Sequence, residues 1–209
     1  MKTGTTTVGI VCKDAVILAA DQKATMGSFV ASKKAQKVFE LADRLAMTIA
    51  GSVGDAQALV RLMRAEIKLY ELQEKHLTTK AAATLLANIL RGAYKSYMPE
   101  WVQLVLGGYD EKGSQLYSLD LAGGLSPEDD YTFSGSGSVT AVGVLEDGYK
   151  KNLSVEEGIE LAVRAIRAAR ERDTYSGGKS IDVLVIKKDR MEPVPQEKIK
   201  QILKSREVE

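Results

Sequence analysis

Residues 45–63 have the sequence LAMTIAGSVGDAQALVRLM, and the change of pattern within this stretch decides the fold class. Its first six residues form a mainly apolar run that is typical of a buried strand and ends at Gly51. Beyond Gly51, the apolar residues Leu59, Leu62 and Met63 recur at the spacing of an amphipathic helix. The sequence therefore predicts a strand that passes directly into a helix at this glycine.

Strand-like segments lie on both sides of this helix. On its N-terminal side, β-branched and small apolar residues predict three further strands: Thr5–Cys12, Ala15–Ala20 and Lys37–Glu40. On its C-terminal side, the pattern predicts a hairpin of the strands Val102–Leu106 and Ser114–Leu119, joined at Asp110–Gly113. It also predicts one late strand, Ser180–Ile186.

Helical patterns come in pairs between these strands. Thr78 or Thr79 can cap the second helix, Pro99 closes it, and Ser154 with Glu157 predicts a capping box at the fourth. The predicted helices are Ser52–Lys75, about 79–98, about 139–149 after a flexible turn at Ser134–Ser138, Ser154–Arg172 and Gln196–Lys204. This order is not the regular alternation of a parallel sheet, so we predict an α+β fold with antiparallel sheets covered by helix pairs, in one domain.

The composition argues against several functional classes. The chain has 209 residues, of which 44% are apolar and 27% charged, and its formal net charge is +1. This balance points neither to nucleic acid nor to a membrane surface, and no apolar run reaches membrane-spanning length. The N-terminal residues lack the apolar stretch of a secretory signal, so we expect a cytoplasmic protein. With one cysteine, Cys12, and one histidine, His76, we expect no disulfide framework, metal or cofactor.

The single histidine also limits the possible hydrolytic mechanisms. His76 lies in a polar break between two helical patterns, where we expect a solvated loop residue. Thr5 offers a mechanism without imidazole, because an α-amine titrates near pH 7.7–8.0 and could activate the hydroxyl if Thr5 were the first residue of a processed chain. Gly4 would leave room for Thr5 to attack the preceding carbonyl. The alternative is that the three threonines only begin a strand.

Four further residues could support such a nucleophile. Lys37 precedes an apolar pair in a strand-like stretch, and Asp21 at the end of an earlier strand could be its partner; the alternative is an ordinary surface lysine. Gly51 stands where backbone N–H groups could hold an oxyanion, or it is needed only for the turn. Asp173 could accept hydrogen bonds from an amine and a serine hydroxyl, or it could simply belong to a helix-exit loop.

In combination, these segments make the chain resemble archaeal proteasome β subunits, which are N-terminal-nucleophile hydrolases. The matching stretches occur in the family's order and cover nearly the whole chain: Gly4–Gly9, Ala20–Asp21, Ala24–Gly27, Thr48–Gln57, Gly135–Ser138, Gly143–Glu146 and Arg172–Gly177. The resemblance implies a four-layer α/β/β/α sandwich with two mainly antiparallel sheets between helix pairs. It also implies a propeptide of residues 1–4, removed autocatalytically, and a single catalytic domain over residues 5–209.

The resemblance assigns roles residue by residue. Thr5 matches the nucleophile, and Asp21 and Lys37 match the charge pair that tunes it. The Gly51 N–H matches the oxyanion donor. A polar shell around the free amine corresponds to Ser136, Asp173 and Ser176. Substrate contacts correspond to Ala24, Thr25, Ala35, Ile49 and Val53, which are uncharged, so we expect cleavage mainly after apolar residues.

The same resemblance implies an assembly. We expect stacked heptameric rings with proteasome α subunits and other β subunits, unfolded polypeptides as substrates, and a regulatory ATPase that acts through the α ring. While Gly4 is still attached, the Thr5 nitrogen is an amide, so we expect the unprocessed chain to be inactive. The main alternative is a structural β-ring subunit that does not cut or processes poorly. A second alternative, a nucleotide-binding protein that uses Ser134–Ser138, lacks the lysine of a phosphate-binding loop.

Overall fold

Two antiparallel five-stranded sheets form the middle of the molecule in a computed structural model that describes residues 4–73 and 76–205. Residues 1–3 of the predicted propeptide and residues 74, 75 and 206–209 lie outside the described residues. The described strands are β1 (Thr7–Val11), β2 (Ala15–Asp21), β3 (Ala24–Met26), β4 (Phe29–Ser32), β5 (Val38–Ala42), β6 (Leu45–Gly51), β7 (Val102–Asp110), β8 (Gly113–Leu119), β9 (Leu125–Glu128), β10 (Tyr131–Ser134), β11 (Ile181–Lys187) and β12 (Met191–Pro193). The described helices are α1 (Val53–Gln73), α2 (Thr79–Lys95), α3 (Ser138–Gly148), α4 (Val155–Arg172) and α5 (Gln196–Lys204).

The strand order brings the start of β1 next to the ends of two other strands. The first sheet has the order β10-β1-β2-β11-β12 and the second β5-β6-β7-β8-β9, while β3 and β4 form a separate hairpin. Thr7 of β1 pairs with Ala20 of β2 on one side and with Ser134 of β10 on the other. Residues just before β1 therefore lie beside the residues that follow Ala20 and Ser134.

The two sheets stack face to face, and strand β2 shows why. All seven of its residues are buried. Alternate side chains point to opposite faces of a sheet, so both faces of β2 must be covered. Ala15, Ile17 and Ala19 pack against the layer that contains α3 and α4. Val16 and Leu18 pack instead between the two sheets. Helices α1 and α2 cover the far face of the second sheet, which completes the four layers.

The α+β sandwich predicted from the sequence is confirmed, and the main helices begin close to where the patterns placed them. The capping box is present: the Ser154 side chain accepts from the Glu157 N–H, and Glu157 accepts from the Ser154 N–H. The prediction missed five short strands, β3, β4, β9, β10 and β12, which are three or four residues long and too short to show a period. It also placed Ser134 in a flexible turn, whereas Ser134 ends β10. No helix in the described ranges has both the length and the apolar character to cross a membrane.

Candidate active site

Thr5 lies two residues before the start of β1 and is almost completely buried. Its backbone N–H donates to Ser136 Oγ at 3.3 Å, and its hydroxyl donates to the Gly4 carbonyl oxygen at 2.7 Å. The pairing of β1 with β2 and β10 accounts for this position, because Asp21 ends β2 and Ser136 follows β10 by two residues. The Thr5 hydroxyl is therefore next to the bond that self-processing would cleave, and its nitrogen faces a serine.

Asp21 and Lys37 form an ion pair beside Thr5. Lys37 Nζ lies 2.7 Å from Asp21 Oδ1, and the side chains are 7% and 0% exposed. The same carboxylate accepts from the backbone N–H groups of Thr6 (2.9 Å), Lys23 (3.0 Å) and Gly177 (2.8 Å). The donors that Asp21 meets are thus three backbone amides and one ammonium.

Burial changes the proton affinity of the lysine. Loss of solvation lowers the pKa of the Lys37 ammonium from its ordinary value, and the attraction of Asp21 opposes this shift without cancelling it. Two more carboxylates, Asp173 and Asp182, also favour the charged form of Lys37 from farther away. A cation at this position lowers the pKa of a nearby amine and so favours its neutral, basic form.

The predicted polar shell forms a connected network. Ser136 Oγ and Ser176 Oγ each donate to Asp173 Oδ2 at 2.6 Å. Since Ser136 Oγ also accepts from the Thr5 N–H, the chain of hydrogen bonds runs from the Thr5 nitrogen to a carboxylate. Ser176 Oγ is 2.5 Å from the Thr6 hydroxyl, which ties the same network to the start of β1. One serine hydroxyl thus links the Thr5 nitrogen to the Asp173 carboxylate.

A cavity of about 390 Å³ opens next to Thr5. All five predicted substrate-contact residues line it, together with Gly51 and Lys37: Ala24, Thr25, Ala35, Ile49 and Val53. Gly51 has φ +140°, and a Cβ there would lie 2.0 Å from the Trp101 carbonyl oxygen, so no other residue fits this turn. The structure thus brings together every residue that the sequence predicted for the site.

Two contributions to the site were not predicted from the residue pattern. The amides of Thr6 and Gly177 hold Asp21, and the hydroxyl of Thr48 donates to that of Thr7 at 2.9 Å. Backbone amides leave no trace in a residue pattern, because every residue except proline has one. The sequence alone does not tell which face of the sheet a threonine side chain occupies, because that depends on the register of the strand.

The lone histidine is not part of this cavity. His76 is exposed and lines a different cavity with Thr78 and Asp110. Within residues 4–73 and 76–205, no three side chains of His, Cys, Asp or Glu are grouped so that they could hold a metal ion.

Comparison with known proteins gives one consistent family. Residues 1–186 match the proteasome family, described as proteasome subunit. A protein named proteasome subunit beta from Archaeoglobus profundus is 53% identical over 203 residues, which cover 97% of this chain and 93% of that relative. Relatives of the same name from Methanocaldococcus fervens and Archaeoglobus fulgidus are 52% and 50% identical; the matches cover 96% of this chain in both cases and 89% and 93% of the relatives.

Proposed function

The chain belongs to the proteasome subunit family, and we propose that it cleaves peptide bonds with Thr5 as an N-terminal nucleophile after residues 1–4 have been removed. It is a β-type proteasome subunit and a peptidase, as its relatives' shared name indicates. One observation carries the assignment of the nucleophile. Thr5 stands between the buried Asp21–Lys37 pair and the hydrogen-bonded chain from Ser136 to Asp173.

The proposed reaction is acyl transfer through an ester. The free Thr5 amine takes the proton of the Thr5 hydroxyl as Oγ bonds to the peptide carbonyl carbon, and the Gly51 N–H stabilises the oxyanion. The C–N bond then breaks, and the departing nitrogen takes the proton from the Thr5 ammonium. Water attacks the ester, gives a proton to the amine, and Oγ recovers that proton as the acid product leaves. Ser136, Asp173 and Ser176 hold the amine in place through both halves of the cycle.

Self-processing uses the same hydroxyl on the bond between Gly4 and Thr5. We propose that residues 1–4 are the propeptide and that residues 5–209 form a single catalytic domain. The 2.7 Å hydrogen bond from the Thr5 hydroxyl to the Gly4 carbonyl oxygen supports this, because it holds the nucleophile beside the carbonyl that it would attack. Until that bond is cut, the Thr5 nitrogen is an amide and cannot act as the base.

The cavity beside Thr5 would receive the side chain that precedes the cut. Small or apolar side chains make up most of its wall, and its charged members, Lys23 and Lys37, are both cations. Apolar residues should fit there and an arginine should be repelled. A peptide panel tests this: cleavage after Leu or Tyr should be faster than after Arg, and the reverse order would refute the assignment.

Family membership also means assembly with α and β subunits in the rings of a core particle. We propose further that the rings are heptameric and stacked, that substrates are unfolded polypeptides, and that a regulatory ATPase acts through the α ring. Large apolar side chains that stand exposed on the single chain support burial in such contacts, among them Phe29, Leu72, Tyr97 and Val139.

The experiment that tests the nucleophile is the intact mass of the chain after assembly with its α subunits. Loss of residues 1–4 from the wild type but not from a Thr5→Ala variant would support self-cleavage by Thr5. A full-length mass for the wild type in assembled particles would favour a structural β subunit, or one that needs a second β type in the ring. Activity on a fluorogenic peptide, measured on the same particles, completes the test.

A further inference from the structure

A second, larger cavity adjoins the one that would hold the residue before the cut. Its volume is about 1010 Å³, and it shares a wall with the first cavity at Thr25, Gly51 and Val53. It differs at its other end, which is formed by Trp101, Val102, Gln103, Leu121, Gly135 and Ser136. The lining residues are uncharged throughout, and the largest of them, Trp101, is 66% exposed.

Hydrogen bonds hold the backbone of this wall in place. The Trp101 N–H donates to Asp55 Oδ2 at 3.0 Å, and the Trp101 carbonyl accepts from the Ser52 N–H at 2.9 Å. Gln103 Oε1 accepts from the Gly135 N–H at 3.0 Å, which joins β7 to the loop that carries Ser136. The backbone that carries the indole is therefore already fixed, so a bound side chain has to order only the indole and not this part of the wall.

The position of Ser136 tells which half of a substrate this cavity faces. In the proposed reaction, the departing nitrogen takes its proton from the Thr5 amine, and Ser136 is the residue that contacts the Thr5 nitrogen. The peptide that begins with this departing nitrogen must therefore leave on the Ser136 side. The smaller cavity, which holds Lys37 and Ala35, is lined by Thr5 itself and not by Ser136.

We propose that Trp101, with Val102 and Leu121, forms a binding site for an apolar side chain on the residue that immediately follows the cleaved bond. This inference rests on the proposed function of Thr5 and adds a second point of selectivity to it. An apolar side chain packed on the indole removes apolar surface of both partners from water, whereas a charged one would lose its hydration without gaining a partner. The chain then selects its cutting sites on both sides of the scissile bond.

Two kinds of substrate separate this site from the rest of the active site. In quenched fluorescent peptides, Leu before the cut is kept constant and the next residue is Gly, Leu, Tyr or Asp; mass spectrometry identifies the bond that breaks. The peptide with Gly after the cut places no side chain against the indole, so it is the reference that reports on Thr5 chemistry and on the residues before the cut. Assembled, processed particles are used for the wild type and for Trp101→Ala, Trp101→Phe and Met98→Ala. Met98 is 79% exposed, lies three residues before Trp101 and lines neither cavity, which makes it the matched control.

We expect kcat/KM of the wild type to be about tenfold higher with Leu or Tyr than with Gly after the cut, and lowest with Asp. In Trp101→Ala, this preference should fall to about twofold or less while the Gly peptide is cleaved as before. Trp101→Phe should keep part of the preference, and Met98→Ala all of it. An unchanged preference in Trp101→Ala would overturn the inference, as would a wild type that does not distinguish Leu from Gly. If the wild type cleaved none of these peptides, the proposed function of Thr5 itself would fail.

Discussion

Lys37 Nζ and Asp21 Oδ1 are 2.7 Å apart, and neither side chain has more than a small fraction of its surface in contact with solvent. Such a pair is a poor source of stability, because removing both charges from water costs several kcal/mol per ion and an apolar pair often serves the fold as well. The pair lies at the end of β2, where Asp21 also contacts the Thr6 amide next to the proposed nucleophile. Its position is therefore explained better by what it does to Thr5 than by what it adds to folding.

Replacing Lys37 with Met tests this interpretation. Met keeps the length and apolar part of the side chain but removes a positive charge that lines the same cavity as Thr5 and favours negative charge on the attacking hydroxyl oxygen. We expect Lys37→Met to block removal of residues 1–4, measured as intact mass in assembled particles. The uncompensated Asp21 should also lower the free energy of unfolding by about 3–5 kcal/mol, measured by urea denaturation of the purified subunit.

Lys34→Met is the matched control, because Lys34 is an exposed lysine three residues away. It should process normally and unfold like the wild type. If Lys37→Met also lost residues 1–4 at the wild-type rate, the lysine would have no part in activating Thr5.

The sequence allowed both members of this pair to be proposed, but not the contacts that hold them. Asp21 follows a buried apolar run and Lys37 precedes an apolar pair, so each residue type is unusual for its place. That Thr6 and Gly177 donate to Asp21 depends on how β1 and the loop after α4 reach the end of β2. Such contacts between residues up to 156 positions apart follow from sheet order, which local pattern does not contain.

The layers could be predicted and the small strands could not, for a related reason. Long runs such as β2, or the helix with the Ser154 capping box, have a period and end signals of their own. Strand β10 has four residues and is held by its pairing with β1, so its neighbours define it. The second cavity escaped prediction in the same way, since Trp101 and Ser136 are 35 positions apart and meet only through the sheet and the loop after β10.

Gly4→Ala should slow self-processing. A Cβ at Gly4 would lie 1.8 Å from Tyr175 Cβ and 2.6 Å from Ser136 Oγ. The Gly4 carbonyl would have to move away from the Thr5 hydroxyl, and a displacement of about 1 Å can cost roughly 100-fold in rate. A time course of intact mass after mixing with α subunits measures the effect.

Gly143→Ala controls for the added methyl group, because a Cβ at Gly143 would meet no atom within 4 Å. It should process at the wild-type rate. Equal rates for Gly4→Ala and Gly143→Ala would mean that the close approach of Gly4 to Tyr175 does not position the scissile bond.

Asp173→Asn should change both the rate and its pH dependence. The Asp173 carboxylate accepts from Ser136 and Ser176, and its negative charge favours the protonated form of the Thr5 amine. An ordinary α-amine has a pKa near 7.7–8.0, and activity requires its neutral form, so kcat/KM should rise with pH through this range. Without the carboxylate the amine loses protons more readily, and the rising limb should move to lower pH.

We also expect kcat of Asp173→Asn to fall by about 100-fold, since the amine is held less well for proton transfer. Processed particles and a fluorogenic peptide, assayed from pH 5.5 to 9, give both quantities. A lower rate with an unmoved pH limb would mean that Asp173 only supports the fold of the loop. Glu171→Gln, an exposed change near the end of α4 that also removes one negative charge, should leave both rate and limb unchanged.

Cys12 should make the stability of the chain depend on alkaline pH. The thiol is 3% exposed and packs near Gly158, where a Cβ would lie 2.4 Å from its sulfur. Burial, with a smaller contribution from Glu157, raises the pKa of the Cys12 thiol from 9.0 to about 12. Above pH 9 the unfolded chain therefore loses a proton that the folded chain keeps, and the stabilising contribution present below pH 9 is lost as the pH rises toward 12. Each pH unit in this window should lower the free energy of unfolding by as much as about 1.4 kcal/mol.

The Cys12→Ala variant removes this effect. We expect it to have a lower free energy of unfolding than the wild type at pH 7, and this difference should shrink steadily from pH 9 to pH 10.5 in urea denaturation. Other groups that titrate there, such as Tyr131, are common to both chains and cancel in the difference. A constant deficit over that range would show that the thiol ionises equally in both states, and rapid alkylation of Cys12 in the native chain at pH 8 would lead to the same conclusion.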